Sequence, residues 1–242
     1  MEPFLCMAIP TMKRWAFLKQ NIPLFLSRPE VKEVVICDET GEDTKAIQAS
    51  PFYNHPKLRV YTNESRLGIY HNKRKALSLA TAPWVALVDS DNSFPESWFE
   101  VLVDSIDLKN EKMMYGSAVY KAIDLQTGQV QQHCSHFEDL KLNKQNWNSM
   151  FTKPKWNFLM NDGNWVVHKS ALQHLPEVVP LEYKAGAKYC DAIYSLRCLI
   201  QAGFTIWYVP EFSYIHTVHP ESSWLTNERP STQAFNTTNW TL

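Results

Sequence analysis

Asp89-Ser90-Asp91 places two carboxylates two residues apart, directly after the apolar run Val85-Ala86-Leu87-Val88. Like charges held a few ångströms apart repel, and without a cationic partner one of them tends to take up a proton. A hard divalent cation reverses that sign. Mg²⁺ and Mn²⁺ favour oxygen ligands, and Mg²⁺ is commonly held by one or two carboxylates while substrate phosphates fill further positions. The same residues also read as a turn, with Asp91-Asn92-Ser93 leading to a helix at Pro95. Position favours the metal reading, because the triplet closes a buried strand at an edge where other strand ends are polar as well.

The elements that must place it there follow from periodicity. Apolar runs at Phe4 to Ile9, Val31 to Cys37, Leu58 to Tyr61 and Trp84 to Val88 predict strands. Segments with helical spacing lie between them, from Lys13 to Leu26 (broken by Pro23), Glu42 to Ala49 and His71 to Ala80. Such β-α alternation implies an α/β protein whose mainly parallel, Rossmann-like sheet is flanked by helices, with its ligand site outside the carboxyl ends of the strands. The residues at that edge are Pro10-Thr11, Asp38-Glu39, Asn63 to Gly68 and Asp89-Ser90-Asp91.

After residue 110 the pattern becomes a smaller mixed half. It reads as a hairpin around Thr127-Gly128, a short strand Trp165 to His168, a helix from Cys190 to Ala202 closed by Gly203, and strands near Thr205 to Tyr208 and Phe212 to His216. The expected organisation is one domain over residues 1–225, with halves 1–110 and 111–225, followed by a polar tail over 226–242 lying loosely on the surface.

Composition narrows the function classes. The chain has 242 residues, with 24 Lys and Arg against 25 Asp and Glu, so no global field recruits nucleic acid or an anionic membrane. Five scattered cysteines without a CxxC pair argue against zinc or redox chemistry. No transmembrane run and no signal-peptide pattern are read, so the expectation is a soluble, cytoplasmic protein.

Taken in order, Ile9-Pro10-Thr11, Val34 to Glu39, Asn63 to Gly68 leading into Asn72-Lys73-Arg74-Lys75, and Leu87 to Asp91 resemble a family 2 glycosyltransferase of the GT-A fold. The resemblance spans about residues 4 to 220 and is firmer in the first half. It implies a metal-dependent, inverting transfer of a hexosyl or pentosyl group from a nucleotide-diphosphate sugar to a hydroxyl of a glycan or other acceptor.

By that resemblance Pro10, Thr11, Asp38 and Asn63, with Glu39 in addition, would face the nucleoside. An Asp-Glu-Thr-Gly turn accounts for Asp38 equally well. Lys73 and Arg74, near a helix start, would meet the diphosphate together with Asp89 and Ser90. Asp91, Asp89 and His216 would hold Mn²⁺ or Mg²⁺, with His216 preferred to His219. Asp191 would be the base, with Cys190 standing where the family usually has a first acid. Trp165, Asp162 and His219, and also Trp156, would border the acceptor. Two other readings compete with this one. A sugar nucleotidyltransferase would call for a glycine-rich loop after the first strand, and Ile9-Pro10-Thr11-Met12-Lys13-Arg14 has no glycine. A nucleotide- or glycan-binding module without catalysis has Cys190 as its main support.

Overall fold

The computed structural model describes residues 2–134, 139–152, 164–220 and 223–242. Strands β1 (Leu5–Thr11), β2 (Val31–Asp38), β3 (Leu58–Thr62) and β4 (Trp84–Leu87) alternate with helices α1 (Trp15–Ser27), α2 (Glu42–Gln48) and α3 (Ile69–Ser78). All four strands run parallel, with β1 between β2 and β4 and with β3 outside β2. Parallel strands covered on both faces bury most of their side chains, almost all of them in β1, β2 and β4, which is why those three read as near-continuous apolar runs, while the outer β3 is only partly buried. Alternation still sorts the faces. Leu5, Met7 and Ile9 pack with α1 residues Leu18, Ile22 and Phe25, while Cys6 and Ala8 join Ala76 and Leu77 of α3 on the other side.

The second half extends the same sheet. It contributes α4 (Glu96–Ser105), β5 (Met113–Asp124), β6 (Val130–Cys134), β7 (Lys141–Leu142), β8 (Trp165–His168), α5 (Lys184–Tyr189), α6 (Asp191–Gln201), β9 (Thr205–Val218) and α7 (Ser223–Thr237). The strand order is β3-β2-β1-β4-β8-β5-β9-β7, with β6 paired to β5. β8 is antiparallel to both β4 and β5, whereas β5 and β9 run parallel. The expected α/β class, mainly parallel at one side and mixed at the other, is therefore observed. The hairpin lies where expected, with Ile123 opposite Val130.

Three expectations are corrected. Pro23 does not break α1, which runs through it. Pro23 and Lys19 both lie on the exposed side of that helix, so the carbonyl that loses its partner faces water. The two late strands are one strand, β9, interrupted by a bulge. Pro210 has no N–H for the ladder, and Glu211 takes a left-handed φ of 65°, so the pairing moves from Ser117↔Val209 to Val119↔Ser213.

The segment expected to be a loose tail is helical and partly in the core. Asn227 leaves helical geometry, which puts Pro230 near the start of the following helical stretch, where its missing N–H costs little. Ala234 and Trp240 are buried, and the Trp240 carbonyl accepts a 2.7 Å hydrogen bond from Trp147 Nε1.

Opposite the carboxyl edge, the sheet is anchored by Glu33 of β2. Its buried carboxylate accepts from the backbone N–H groups of Thr81 and Ala82 and from Arg59 of β3. Burial alone would raise its pKa, but these donors outweigh burial and hold it below the ordinary carboxylate value. A carboxylate with a depressed pKa adds stability above its unfolded value, about 4.3, and loses it as pH falls through the folded value. Glu33→Gln is expected to cost about 2 kcal/mol at pH 7. Urea denaturation of both proteins at pH 7 and pH 3.5 checks this, with the difference narrowing at the lower pH.

Candidate active site

The carboxyl ends of β2 and β4 and the start of α6 bring Asp38, Glu39, Asp89, Asp91 and Asp191 to one edge, beside Thr11 at the end of β1. The strand β4 ends at Leu87, and Val88 still donates to Ala8 O at 3.1 Å, so the chain leaves the sheet only at Asp89. The turn that follows is tied from several sides. Asp89 N donates to Asn164 Oδ1 at 2.9 Å, Asn21 Nδ2 donates to Asn92 O at 2.6 Å, and Ser93 exchanges two backbone hydrogen bonds with Ile215 of β9. The buried Asn92 side chain faces His216 Nδ1 at 3.1 Å.

The two carboxylates of the triplet have different partners. Lys73 of α3 reaches Asp89 Oδ1 at 2.9 Å and Asp191 Oδ2 at 2.9 Å. Burial disfavours a charged ammonium, but the two carboxylates outweigh it, Asp191 more than Asp89, and Lys73 is held protonated well above its ordinary range. Asp191 opens α6, where a carboxylate also meets the positive end of the helix dipole.

Asp91 turns the other way. Its Oδ2 lies 3.1 Å from His219 Nε2 and 3.5 Å from Arg14 Nε. Burial would raise this carboxyl's pKa, yet the His219 hydrogen bond and the charges of Arg14, His219 and His216 prevail and hold it low. Arg14 is set by Asp43, which accepts from its backbone N–H at 2.8 Å and from Thr11 Oγ1 at 2.6 Å.

The remaining candidates fall into two groups. Thr11, Asp38, Asn63 and Ser90 are buried at the same edge. Asp38 is occupied by the local turn, accepting from Thr40 N at 3.0 Å and from Thr44 N and Oγ1 at 2.8 and 3.0 Å. Gly41, with φ of 79°, allows that turn to close into α2. Asn63 Nδ2 bonds Asn72 Oδ1 at 2.9 Å, and Asn72 Nδ2 bonds Cys37 O at 3.1 Å, which seats α3 on β2. Glu39 accepts from Leu67 N at 2.7 Å, and Pro10 pairs with Cys37 in the sheet.

Two candidates lie outside that cluster, and a histidine assignment changes. Arg74 turns away to Leu175 O at 2.9 Å, because adjacent helical residues point about 100° apart. Trp165 is 2% exposed, packed in the core opposite Leu87, so its ring offers no face to a sugar. His219, expected near the acceptor, is the histidine beside Asp91, while His216 faces Asn92. Asp162 and Trp156 lie outside the described residues. Arg14, Asn92 and Asn164 were missed by sequence reasoning. Arg14 follows the first strand at the same edge, which was the available signal; Asn164 is placed only by tertiary pairing.

These donors suit a divalent cation at one place. Two adjacent ligands on an octahedral ion, each about 2.1 Å away, are about 3 Å apart, close to the separation of Asp91 Oδ2 and His219 Nε2. An oxygen and an imidazole suit Mn²⁺ better than Mg²⁺. Among the described residues no group of three His, Cys, Asp or Glu side chains that could hold a metal ion is present.

Residues 6–175 match the model of glycosyl transferase family 2. The chain belongs to glycosyl transferase family 2. Solved structures agree in fold with this family member. S. aureus TarS 1-349 superposes with a TM-score of 0.63 at 17% identity, over 90% of this chain and 60% of that one. GalNAc-T7, solved with UDP, GalNAc and Mn²⁺, gives 0.64 at 14% identity, over 90% and 44%. The mannosyltransferase PcManGT from Pyrobaculum calidifontis, solved with GDP-Man and Mn²⁺, gives 0.58 at 14% identity, over 98% and 63%. This family 2 chain thus has the GT-A fold and spans about 60% of the length of TarS 1-349. No curated protein sequence matches it. Among the described residues no helix is long and apolar enough to cross a membrane.

Removing the ammonium leaves two carboxylates uncompensated. Lys73→Met is expected to cost about 3 kcal/mol, the low end for a broken buried pair because Asp89 is partly solvated. The raised pKa means that the ammonium's contribution is complete below its unfolded value of about 10.4 and is lost only above it. Chemical denaturation at pH 7 and pH 9 should give the same penalty.

Proposed function

We propose that this chain is a divalent-cation-dependent, inverting glycosyltransferase that moves a sugar from a nucleoside-diphosphate donor to an acceptor hydroxyl. The observation that carries the reading is the meeting of Asp89, Asp91 and Asp191 at the carboxyl edge, with Lys73 within 2.9 Å of both Asp89 and Asp191. Support also comes from the solved relatives. TarS 1-349 has been solved with UDP-GlcNAc and with UDP, and GalNAc-T7 and PcManGT were solved with a nucleotide and Mn²⁺.

In this reading Asp191 takes the proton of the acceptor hydroxyl. The resulting oxygen attacks the anomeric carbon from the face opposite the donor phosphate, and the bond to that phosphate breaks as the nucleoside diphosphate leaves. A single base on that side of the sugar implies inversion. Cys190 cannot share the role. Its thiol is buried against Ser231 O at 3.5 Å, and burial, helped by the Asp191 charge, pushes its pKa up to about 11. Asp91 and His219 would hold the cation, which supplies Lewis-acid stabilisation of the leaving diphosphate when bound. Lys73 and Arg14 add fixed positive charge at the same edge. Residues 1–110 serve the donor and 111–225 the acceptor. Within the donor half Thr11, Glu39 and Asn63 border the nucleoside.

The test is calorimetric binding of UDP and GDP with and without Mn²⁺, together with release of UDP from UDP-N-acetylglucosamine and of GDP from GDP-mannose. Asp91→Ala is expected to weaken the Mn²⁺-dependent binding at least ten-fold. Asp191→Ala should retain binding and lose turnover by about 10²- to 10⁴-fold. Undiminished metal dependence in Asp91→Ala would remove the cation assignment. Nucleotide binding without turnover in the wild type would make the chain a binding module instead.

A further inference from the structure

The residues after β9 that were expected to be a loose tail are bound to the junction that carries Asp191. Helix α5 ends at Tyr189, Cys190 follows, and α6 begins at Asp191, so the position of the carboxylate depends on how α5 is seated. Gly186 of α5 lies against the Trp240 indole so closely that an added Cβ would stand 2.6 Å from Cη2 and 3.3 Å from Cζ2 and Cζ3. Cys190 Sγ points at Ser231 O at 3.5 Å. Trp240 is held in turn, its indole Nε1 donating to Phe235 O at 2.9 Å and its backbone carbonyl accepting from Trp147 Nε1. Arg197 of α6 donates to Thr241 O at 2.9 Å, and Leu242 and Asn148 exchange two hydrogen bonds. Ala187, Cys190, Ile193, Ala234 and Trp240 belong to one buried cluster.

We propose that residues 228–242 are a positioning clamp for the base: by seating Trp240 on Gly186 and Ser231 on Cys190 they fix where Asp191 stands, and they act on turnover rather than on donor affinity. The physical basis is steep. A displacement of about 1 Å at a reacting group can cost up to about a hundred-fold in rate, and close-packed interiors transmit such displacements instead of absorbing them. A glycine facing a tryptophan over a shared van der Waals surface leaves no slack for either partner. The claim rests on the proposed role of Asp191 as base.

The test compares Gly186→Ala, Trp240→Leu and the double variant with the wild type and Asp191→Ala. Two quantities are measured for each, the affinity for UDP or GDP with Mn²⁺ and kcat with whichever of UDP-N-acetylglucosamine and GDP-mannose the wild type turns over. Each single variant is expected to lose about ten-fold in kcat, with diphosphate affinity within two-fold of the wild type. The double variant should be no slower than the slower single one, since the new methyl fills space that the indole vacates. If Gly186→Ala does not fold, the same split between kcat and affinity in Trp240→Leu decides the matter. Unchanged kcat, losses in affinity that match those in kcat, or strictly additive losses in the double variant overturn the clamp. Full turnover in Asp191→Ala, or none in the wild type, instead overturns the catalytic reading, and the clamp with it.

Discussion

A buried ammonium between two carboxylates sets the terms for this site. A charge taken out of water costs several kcal/mol unless it is paired, and the pairing works only at near-ideal geometry. Lys73 meets that condition by drawing on three elements at once, α3 for itself, the end of β4 for Asp89 and the start of α6 for Asp191. Each must therefore be seated to within a fraction of an ångström. The supporting contacts do that seating: Asn63 and Asn72 fix α3 to β2, Asn164 holds the Asp89 amide, and the α5–α6 junction lies against the segment around Trp240. Whether a buried pair adds net stability matters less here than that leaving it incomplete is costly, which selects one arrangement of the three elements.

The same constraint separates what was legible in the sequence from what was not. The parallel half was legible because burial on both faces makes each strand a continuous apolar run, and because Asp89, Asp38 and Thr11 stand where those runs stop. The direction of a side chain on a helix was not. Lys73 and Arg74 are neighbours in sequence, yet only Lys73 faces the carboxylates, while Arg74 faces Leu175. Composition alone gives both the same reading.

The second half was harder for related reasons. His216 is the last histidine within β9 and His219 lies just past its end, so choosing by distance from the strand end picked the one beside Asn92 rather than the one beside Asp91. Trp165 is preceded by the polar run Asn161 to Asn164 in sequence but pairs with Leu87 in the middle of the sheet, a burial that depends on β8 entering between β4 and β5. The segment after residue 226 is polar apart from Ala234, Phe235, Trp240 and Leu242, and Pro230 speaks against a helix. Its order comes from Trp240 and from backbone carbonyls that accept from Trp147 and Arg197, contacts between residues more than forty positions apart.

Charge balance connects this resting arrangement to the proposed chemistry. Asp89, Asp91 and Asp191 face two permanent cations, Lys73 and Arg14, a formal balance of one negative charge before either histidine is counted. A nucleoside-diphosphate sugar brings about two more negative charges, and a site that is already negative would repel it. A divalent cation arriving with the donor offsets those two charges and leaves the cluster at its resting balance. The carboxylate pair that looks unfavourable in the sequence would, in the proposed chemistry, be adjusted in two stages: protein cations neutralise most of it in the folded chain, with Arg14 at Asp91 and one Lys73 shared by Asp89 and Asp191, and a cation brought by the donor would complete the balance. In the proposed chemistry the cation would answer the donor's charge more than any need of the fold, since Lys73, Arg14 and His219 already hold both carboxylates in place.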